Sequence, residues 1–153
     1  MSIKEAFPLL ARNEGVWEGY YRYYNIDGEK IDEHKSRLLC RIPEPDTYHQ
    51  TNLYRWADGK KDTRDFPSKV EGKKLVFYTD IEGWAAAVDL DEHNRTMMLS
   101  WVRKNEPGLY LYEMIQVNDD YYVCIASYWY GIPIPMLDFF TFLVRCRLLD
   151  VCL

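Results

Sequence analysis

Apolar and polar residues alternate along most of this chain, with turn residues at short intervals. Strict alternation marks half-buried strands, because successive side chains point to opposite faces. The pattern predicts strands at Val16–Asn25, Ile31–Ile42, Thr47–Ala57, Lys61–Phe66, Lys74–Tyr78, Trp84–Asp89, Thr96–Val102, Leu109–Val117, Tyr121–Tyr130 and Phe139–Leu148. Asp27-Gly28, Asp58-Gly59, Glu71-Gly72, Glu82-Gly83, Pro107-Gly108 and Asn118-Asp119-Asp120 supply the turns between them. Pro43 and Pro45 are expected to close the second strand, since proline cannot donate to a ladder. Ala6–Asn13 predicts a turn or two of helix, started by Pro8 and carrying Leu9 and Leu10 as a plug. A meander of this kind must bury one face and dispose of its edges, and closure does both. The expected fold is therefore all-β. It is an antiparallel up-and-down β-barrel of about 8–10 strands with a short N-terminal helix, and one domain spans residues 1–153.

Sorting side chains by face locates the interior. In Thr47–Ala57, Tyr48, Gln50, Asn52, Tyr54 and Trp56 share one side, and His49, Thr51, Leu53 and Arg55 share the other. The aromatic and amide side is assigned to the inside. Two amides are a liability in a filled core, but in a ligand cavity they are the few polar groups that orient a bound molecule. In the preceding strand Glu33, Lys35, Arg37 and Arg41 form a charged outer side. That puts His34, Ser36, Leu38 and Cys40 inside, with His34 and Ser36 expected beside Tyr54 and Asn52. A lone inward histidine is more often structural than catalytic, and polar neighbours narrow that difference. Leu109–Val117 admits two readings. With Leu109, Leu111 and Ile115 inward, Glu113 is a buried carboxylate prepared for proton transfer; with Tyr110, Tyr112 and Met114 inward, it is a surface charge. The aliphatic neighbours favour a Glu113 at least partly inside. Trp101 and Trp129 are read as cavity or core walls, and Trp84 as standing at a barrel end. Gly131 to Asp138, with two prolines in Ile-Pro-Ile-Pro, is an apolar loop. It suits a lid at the barrel mouth or, equally, a segment packed against the barrel end or a second copy, so a homodimer stays open.

Composition changes this picture in one respect. Aromatic residues are 16% of the chain, with 13 Tyr and 5 Trp. Each brings a polar tip that needs a partner when buried, so so many are poorly explained as core filler. A net charge of −5 without a basic block disfavours nucleic acid as a partner. No apolar run approaches the length of a membrane span, and the start of the chain lacks the apolar stretch of a secretory signal, so a cytoplasmic protein is expected. Cys40, Cys124, Cys146 and Cys152 form no C-x-x-C pair and read as buried thiols. No His/Asp/Glu cluster has metal-ligand spacing, and neither metal nor cofactor is expected.

The first strand opens Gly15-Val16-Trp17-Glu18-Gly19, and this G-x-W resembles the opening signature of the calycin superfamily, the lipocalins and their relatives. The resemblance implies that Trp17 plugs the closed end and that Arg145 or Arg147 of the last strand packs across it. Trp17, Gly19, Gly28, His34, Ser36, Tyr48, Gln50, Asn52, Tyr54, Trp56, Asp58, Gly59 and Phe66-Pro67 continue the likeness, as does Glu113 in Tyr112-Glu113-Met114-Ile115. Together they resemble a poorly characterised lipocalin-like family of microbial and fungal proteins. Related barrels bind apolar ligands, and some are cofactor-free cyclases, isomerases or decarboxylases. The segment after Tyr128 departs from that pattern. A haem-binding relative would need a histidine in the last third of the chain, and His34, His49 and His93 all precede it.

Three functions fit this frame. The favoured one is a cofactor-independent isomerase, cyclase or dehydratase acting on a small hydrophobic natural-product-like substrate. His34 and Glu113 would be its acid and base, with Gln50, Asn52 and Tyr54 donating to a developing oxyanion. Ser36 and Tyr48 would join the ligand-binding set, with Trp56, Trp101 and Trp129 as walls. The second is a carrier of a fatty acid, terpenoid or pigment, which needs the cavity but no acid/base pair. The third is a filled barrel with an interaction surface, which predicts no cavity. Polar residues interrupting the aromatic wall tip the balance from carrier to enzyme.

Overall fold

A computed structural model describes the backbone of residues 2–25, 27–118, 121–130 and 140–148, and the side chains of 2–25 and 27–118. Two short helices, α1 (Ile3–Ala6) and α2 (Pro8–Arg12), come first. Ten strands follow: β1 (Gly15–Tyr24), β2 (Lys30–Glu44), β3 (Thr47–Arg55), β4 (Lys61–Glu71), β5 (Lys74–Phe77), β6 (Ile81–Ala87), β7 (Thr96–Arg103), β8 (Leu109–Val117), β9 (Tyr121–Tyr130) and β10 (Phe140–Leu148). Each pairs antiparallel with its neighbours in the chain, and β10 returns to β1 to close the barrel. Closure removes both sheet edges, as the expected fold requires.

The turns form where short polar residues and glycine coincide. In the β3–β4 connection the Trp56 amide donates to the Lys60 carbonyl (3.0 Å) and the Lys60 amide donates to Asp58 Oδ1 (2.9 Å). Gly59 takes a φ of +91° there, which a side chain would resist. Three expectations need correction. Glu82-Gly83 is not a turn but lies inside β6, opposite Trp101. A Cβ at Gly83 would run into the Ser100 carbonyl and the Trp101 backbone, so the glycine marks a close approach of two strands. Pro43 does not close β2, which runs to Glu44 through an irregular register after Arg41. Trp84 is not at a barrel end; it stands exposed on the outer face of β6, with the Lys74 ammonium 5.7 Å from its ring.

The β4–β5 seam is short. β4 continues past Pro67, but β5 pairs only with Ser68–Glu71, leaving Lys61–Pro67 laddered to β3 alone. Pro67 is tolerated because β5 has not yet joined on its other side.

The helices close one end of the barrel. At four and five residues they are too short to persist alone. Ile3, Phe7, Leu9 and Leu10 are all buried there, each worth about 1.5–3 kcal/mol relative to exposure. The Ile3 amide donates to the Pro45 carbonyl (2.6 Å), and Arg12 Nη1 donates to the Asn94 carbonyl (3.0 Å), tying the plug to the β2–β3 and β6–β7 connections. Trp17 is buried beside it, and its Nε1 donates to the Asn13 carbonyl (2.9 Å). Backbone register sets Leu148 opposite Trp17, Arg147 opposite Glu18 and Arg145 opposite Tyr20. The side chains of both arginines lie outside the described residues, as does the Gly131–Asp138 loop. The other end carries the β1–β2, β3–β4, β5–β6 and β7–β8 connections and is the barrel's mouth.

Candidate interior binding site

Between plug and mouth lies a cavity of about 320 Å³, at the small end of the range for ligand sites. Its floor is Leu10, Asn13 and Tyr48, and Trp56, Arg64, Arg103 and Glu106 stand toward the mouth. The two long walls differ in chemistry. β1–β3 contribute Tyr21, Tyr23, His34, Gln50, Asn52 and Tyr54, and the facing wall is Leu75, Phe77, Ile81, Ala85, Met97, Leu99, Leu109 and Ile115. Glu113, with Trp101 bonded to it, interrupts that second wall.

The polar wall is a ladder built by the pleat of β3. Asn13 Nδ2 donates to the Tyr48 hydroxyl (2.9 Å), which donates to Gln50 Oε1 (3.3 Å). Gln50 Nε2 donates to Asn52 Oδ1 (2.8 Å), and Asn52 Nδ2 donates to the Tyr54 hydroxyl (2.9 Å). Every donor points the same way, from the floor to Tyr54, and aligned chains of this kind strengthen one another in a low-dielectric interior. Residues two apart on a strand share a face, which is why β3 alone supplies every member after Asn13. Both inward amides find partners in it. At its lower end the buried Asn13 Oδ1 has no hydrogen-bond partner. Burial pushes the Tyr48 and Tyr54 phenols up, so both are neutral donors at ordinary pH.

His34 stands in an aromatic cage. Ring centroids of Tyr54 and Trp56 lie 4.6 Å away, with Tyr21 at 5.2 Å and Tyr23 at 5.5 Å. Its Nε2 bonds the Tyr23 hydroxyl (2.7 Å) and its Nδ1 bonds Ser36 Oγ (3.0 Å). A neutral ring can serve both bonds, one as donor and one as acceptor. Burial lowers the His34 pKa, with the Asp32 charge pulling it back in part. Burial likewise drives the Tyr23 phenol well above its ordinary value.

The structure gathers His34, Tyr48, Gln50, Asn52, Tyr54, Trp56, Trp101 and Glu113 around one cavity. The aliphatic face of β8 points inward, with Leu109, Leu111 and Ile115 buried and Tyr110 and Tyr112 exposed, so Glu113 faces the interior. Trp101 Nε1 donates to Glu113 Oε1 (3.1 Å). Ser36 is placed differently from the expectation: it is buried, bonded to His34 Nδ1, and does not line the cavity. In the register Ser36 is opposite Tyr54 and Leu38 opposite Asn52, and His34 stands beside Tyr54 as expected and equally beside Trp56. Trp129 is opposite Tyr110 in the backbone register, and its side chain lies outside the described residues.

Sequence reasoning missed Tyr21, Tyr23, Asn13, Arg64 and Arg103. Continuing the Trp17 face of β1 in steps of two reaches Tyr21 and Tyr23 directly. Arg64 has the same signal, sharing its face with Phe66 and Ser68. Cys40 is buried under the ladder, and burial lifts its thiol to about 12, which makes it inert. Among the described residues no group of three or more His, Cys, Asp or Glu could hold a metal ion, and no helix is long and apolar enough to cross a membrane.

No family model matches the chain, and no curated protein matches it by sequence. Solved structures do share its fold. A protein of unknown function from the DUF3598 family of Nostoc punctiforme superposes with a TM-score of 0.70 at 12% identity, over 92% of this chain and 49% of the other. This chain thus spans about half the length of that relative. Rv2717c from M. tuberculosis gives 0.66 at 13% identity, over 95% and 98% of the two chains. The S-type phycobiliprotein lyase CPES from Guillardia theta gives 0.69 at 13% identity, over 100% and 95%. At such identities the likeness shows the fold alone, an antiparallel β-barrel.

Proposed function

We propose that the chain is a calycin-superfamily protein that binds a small, largely apolar molecule bearing a polar group in its barrel interior. The single observation behind this reading is the division of the cavity into one aliphatic wall and one hydrogen-bonded wall. An aliphatic wall takes up a hydrocarbon or aromatic body, and the ladder's terminal Tyr54 hydroxyl offers a donor that fixes its orientation. A filled core would have no use for four hydrogen bonds running along one side of an open cavity. Native mass spectrometry of the purified protein, followed by solvent extraction, tests the reading. It predicts one small apolar molecule per chain, either retained from the host or taken up from an added mixture of apolar compounds. A chain that remains unliganded throughout refutes it.

One observation favours a second, catalytic reading, in which the same cavity runs a cofactor-independent isomerase, cyclase or dehydratase reaction. His34 has both ring nitrogens engaged, so it reaches a bound molecule through Tyr23, which lines the cavity. A proton abstracted from the ligand would bind the Tyr23 oxygen as the phenolic proton moves to His34 Nε2, with Nδ1–H donating to Ser36. Glu113, on the opposite wall, would be the second acid/base group. This reading predicts deuterium incorporation into the bound molecule in D₂O, abolished by Tyr23→Phe. Equal incorporation in the variant, or none in either protein, leaves a carrier.

A further inference from the structure

We infer that the bound molecule carries an anionic oxygen group, a carboxylate, which sits between Arg64 and Arg103 at the open β4–β5 seam. The inference rests on the interior-binding reading and names the ligand class that site would take.

The seam is where the wall is incomplete. β5 ladders to β4 only from Ser68 onward, so the first half of β4 diverges from the β5–β6 connection. A second concavity occupies that wedge, lined by residues 62–66 of β4, Thr79 and Asp80 of the β5–β6 connection, Ile81 of β6, Arg103 at the end of β7, and Lys104 and Asn105 after it. Arg64, Phe66, Ile81 and Arg103 line both this wedge and the interior cavity. The two spaces therefore meet at a pair of guanidinium groups, flanked by a phenyl ring and an aliphatic side chain.

Both guanidinium groups are positioned by carboxylates but not consumed by them. Arg64 donates through Nε to Asp62 Oδ2 (3.0 Å), and Arg103 donates through Nη1 to Glu106 Oε2 (3.3 Å). Among the described residues these bonds leave both Nη groups of Arg64, and the Nε and Nη2 of Arg103, without a protein acceptor. Each guanidinium has five N–H donors in a planar fork, the geometry that takes a carboxylate in a bidentate manner. The guanidinium carbons also stand 6.0 Å from the Tyr54 ring and 5.9 Å from the Trp101 ring, so aromatic walls on both sides set their direction. Tyr54 is the last member of the ladder, which brings its hydroxyl donor to the same end of the cavity. An acidic chain with a net charge of −5 has little general attraction for anions. Two arginines concentrated at the seam beside an aliphatic cavity are thus a local device for a single negative group on an apolar body.

The experiment uses two fluorescent probes of one shape, 9-anthracenecarboxylate and 9-anthracenemethanol, titrated into the wild-type protein, Arg64→Gln, Arg103→Gln and the double variant. The alcohol reports the cavity and the fold of each variant; the ratio of the two affinities reports the arginines. The wild-type protein is expected to bind the carboxylate about tenfold or more tighter than the alcohol, the scale of a charge-assisted hydrogen-bond pair. That preference should shrink in each single variant and vanish in the double variant. Equal affinities in the wild-type protein, or an equal loss for both probes in the variants, overturns the inference while leaving interior binding intact. If neither probe binds, the interior-binding reading falls and this inference falls with it.

Discussion

Replacing His34 by glutamine should flatten the pH dependence of stability between pH 7.5 and 5.5. The ring is buried within its aromatic cage, and burial lowers its pKa below the ordinary value of a histidine. In the unfolded chain the same group takes up its proton near pH 6.5, about as a model peptide does. Below that pH the unfolded state binds more protons than the folded state, so stability falls as pH falls. The contribution of His34 is fully present above the unfolded value and is lost through the window between the unfolded and folded values. The loss is at most about 1.4 kcal/mol for each pH unit within that window. Only the lower half of the range from 7.5 to 5.5 lies inside it, so the wild-type protein should lose up to about 1.4 kcal/mol on this account. Glutamine keeps one donor and one acceptor for Tyr23 and Ser36 but does not titrate. Asp65 and Asp91, whose carboxyls are held low by hydrogen bonds, add their own acid sensitivity to both proteins, and the comparison cancels it. Urea denaturation at half-unit pH steps gives the two stability profiles. The stability advantage of the wild-type protein should narrow, by at most about 1.4 kcal/mol, as pH falls from 7.5 to 5.5. An advantage that stays constant, or widens toward pH 5.5, refutes a buried neutral His34.

Other perturbations have equally direct readouts. Gly83→Ala forces a methyl against the Ser100 carbonyl and the Trp101 backbone, and should cost about 1–3 kcal/mol or more, read as a lowered Tm; an unchanged Tm would mean that the two strands are not in close approach. Asn52→Leu breaks the ladder in the middle, leaving Gln50 Nε2 and the Tyr54 hydroxyl without their partner. It should cost about 1–3 kcal/mol in urea denaturation, and a neutral result would show that the ladder is not formed. Cys40, buried with its thiol lifted to about 12, should resist iodoacetamide at pH 8 in the folded protein and react in denaturant, as peptide mapping will report; labelling of the folded protein at Cys40 would contradict its burial.

Period-two patterning carried most of the fold, and it did best where one face is charged. The Glu33–Arg41 side of β2 and the aromatic side of β3 differ so much in polarity that each can face only one way. β8 was ambiguous because tyrosine suits either face. Its direction follows from the ladder with β7, where Leu99 sits opposite Glu113 and Trp101 opposite Leu111. Gly83 misled because glycine signals both a turn and a close approach of backbones, and only three-dimensional pairing separates the two. Arg64 was legible from the face it shares with Phe66 and Ser68, but its meeting with Arg103 was not, because what brings the two together is a gap left by a four-residue β5. The role of Ser36 shows the converse limit, since facing inward and reaching a cavity are different properties. His34, bonded to Ser36, lines the cavity and Ser36 does not.

The central claim is that the barrel interior, not its outer surface, takes up a small apolar molecule. Ala85 is the residue on which to test it, being buried on the aliphatic wall with Leu75 and Leu99 as its ladder partners. Phenylalanine at that position would project into the cavity and occupy it. Tryptophan fluorescence should be quenched saturably at one equivalent when 9-anthracenemethanol is titrated into the wild-type protein, through Trp56 and Trp101 on the cavity wall. The account predicts that Ala85→Phe, folded by circular dichroism, loses this binding by about tenfold or more, since the filled space is the binding site. Saturable binding of undiminished affinity in the Ala85→Phe protein would contradict it.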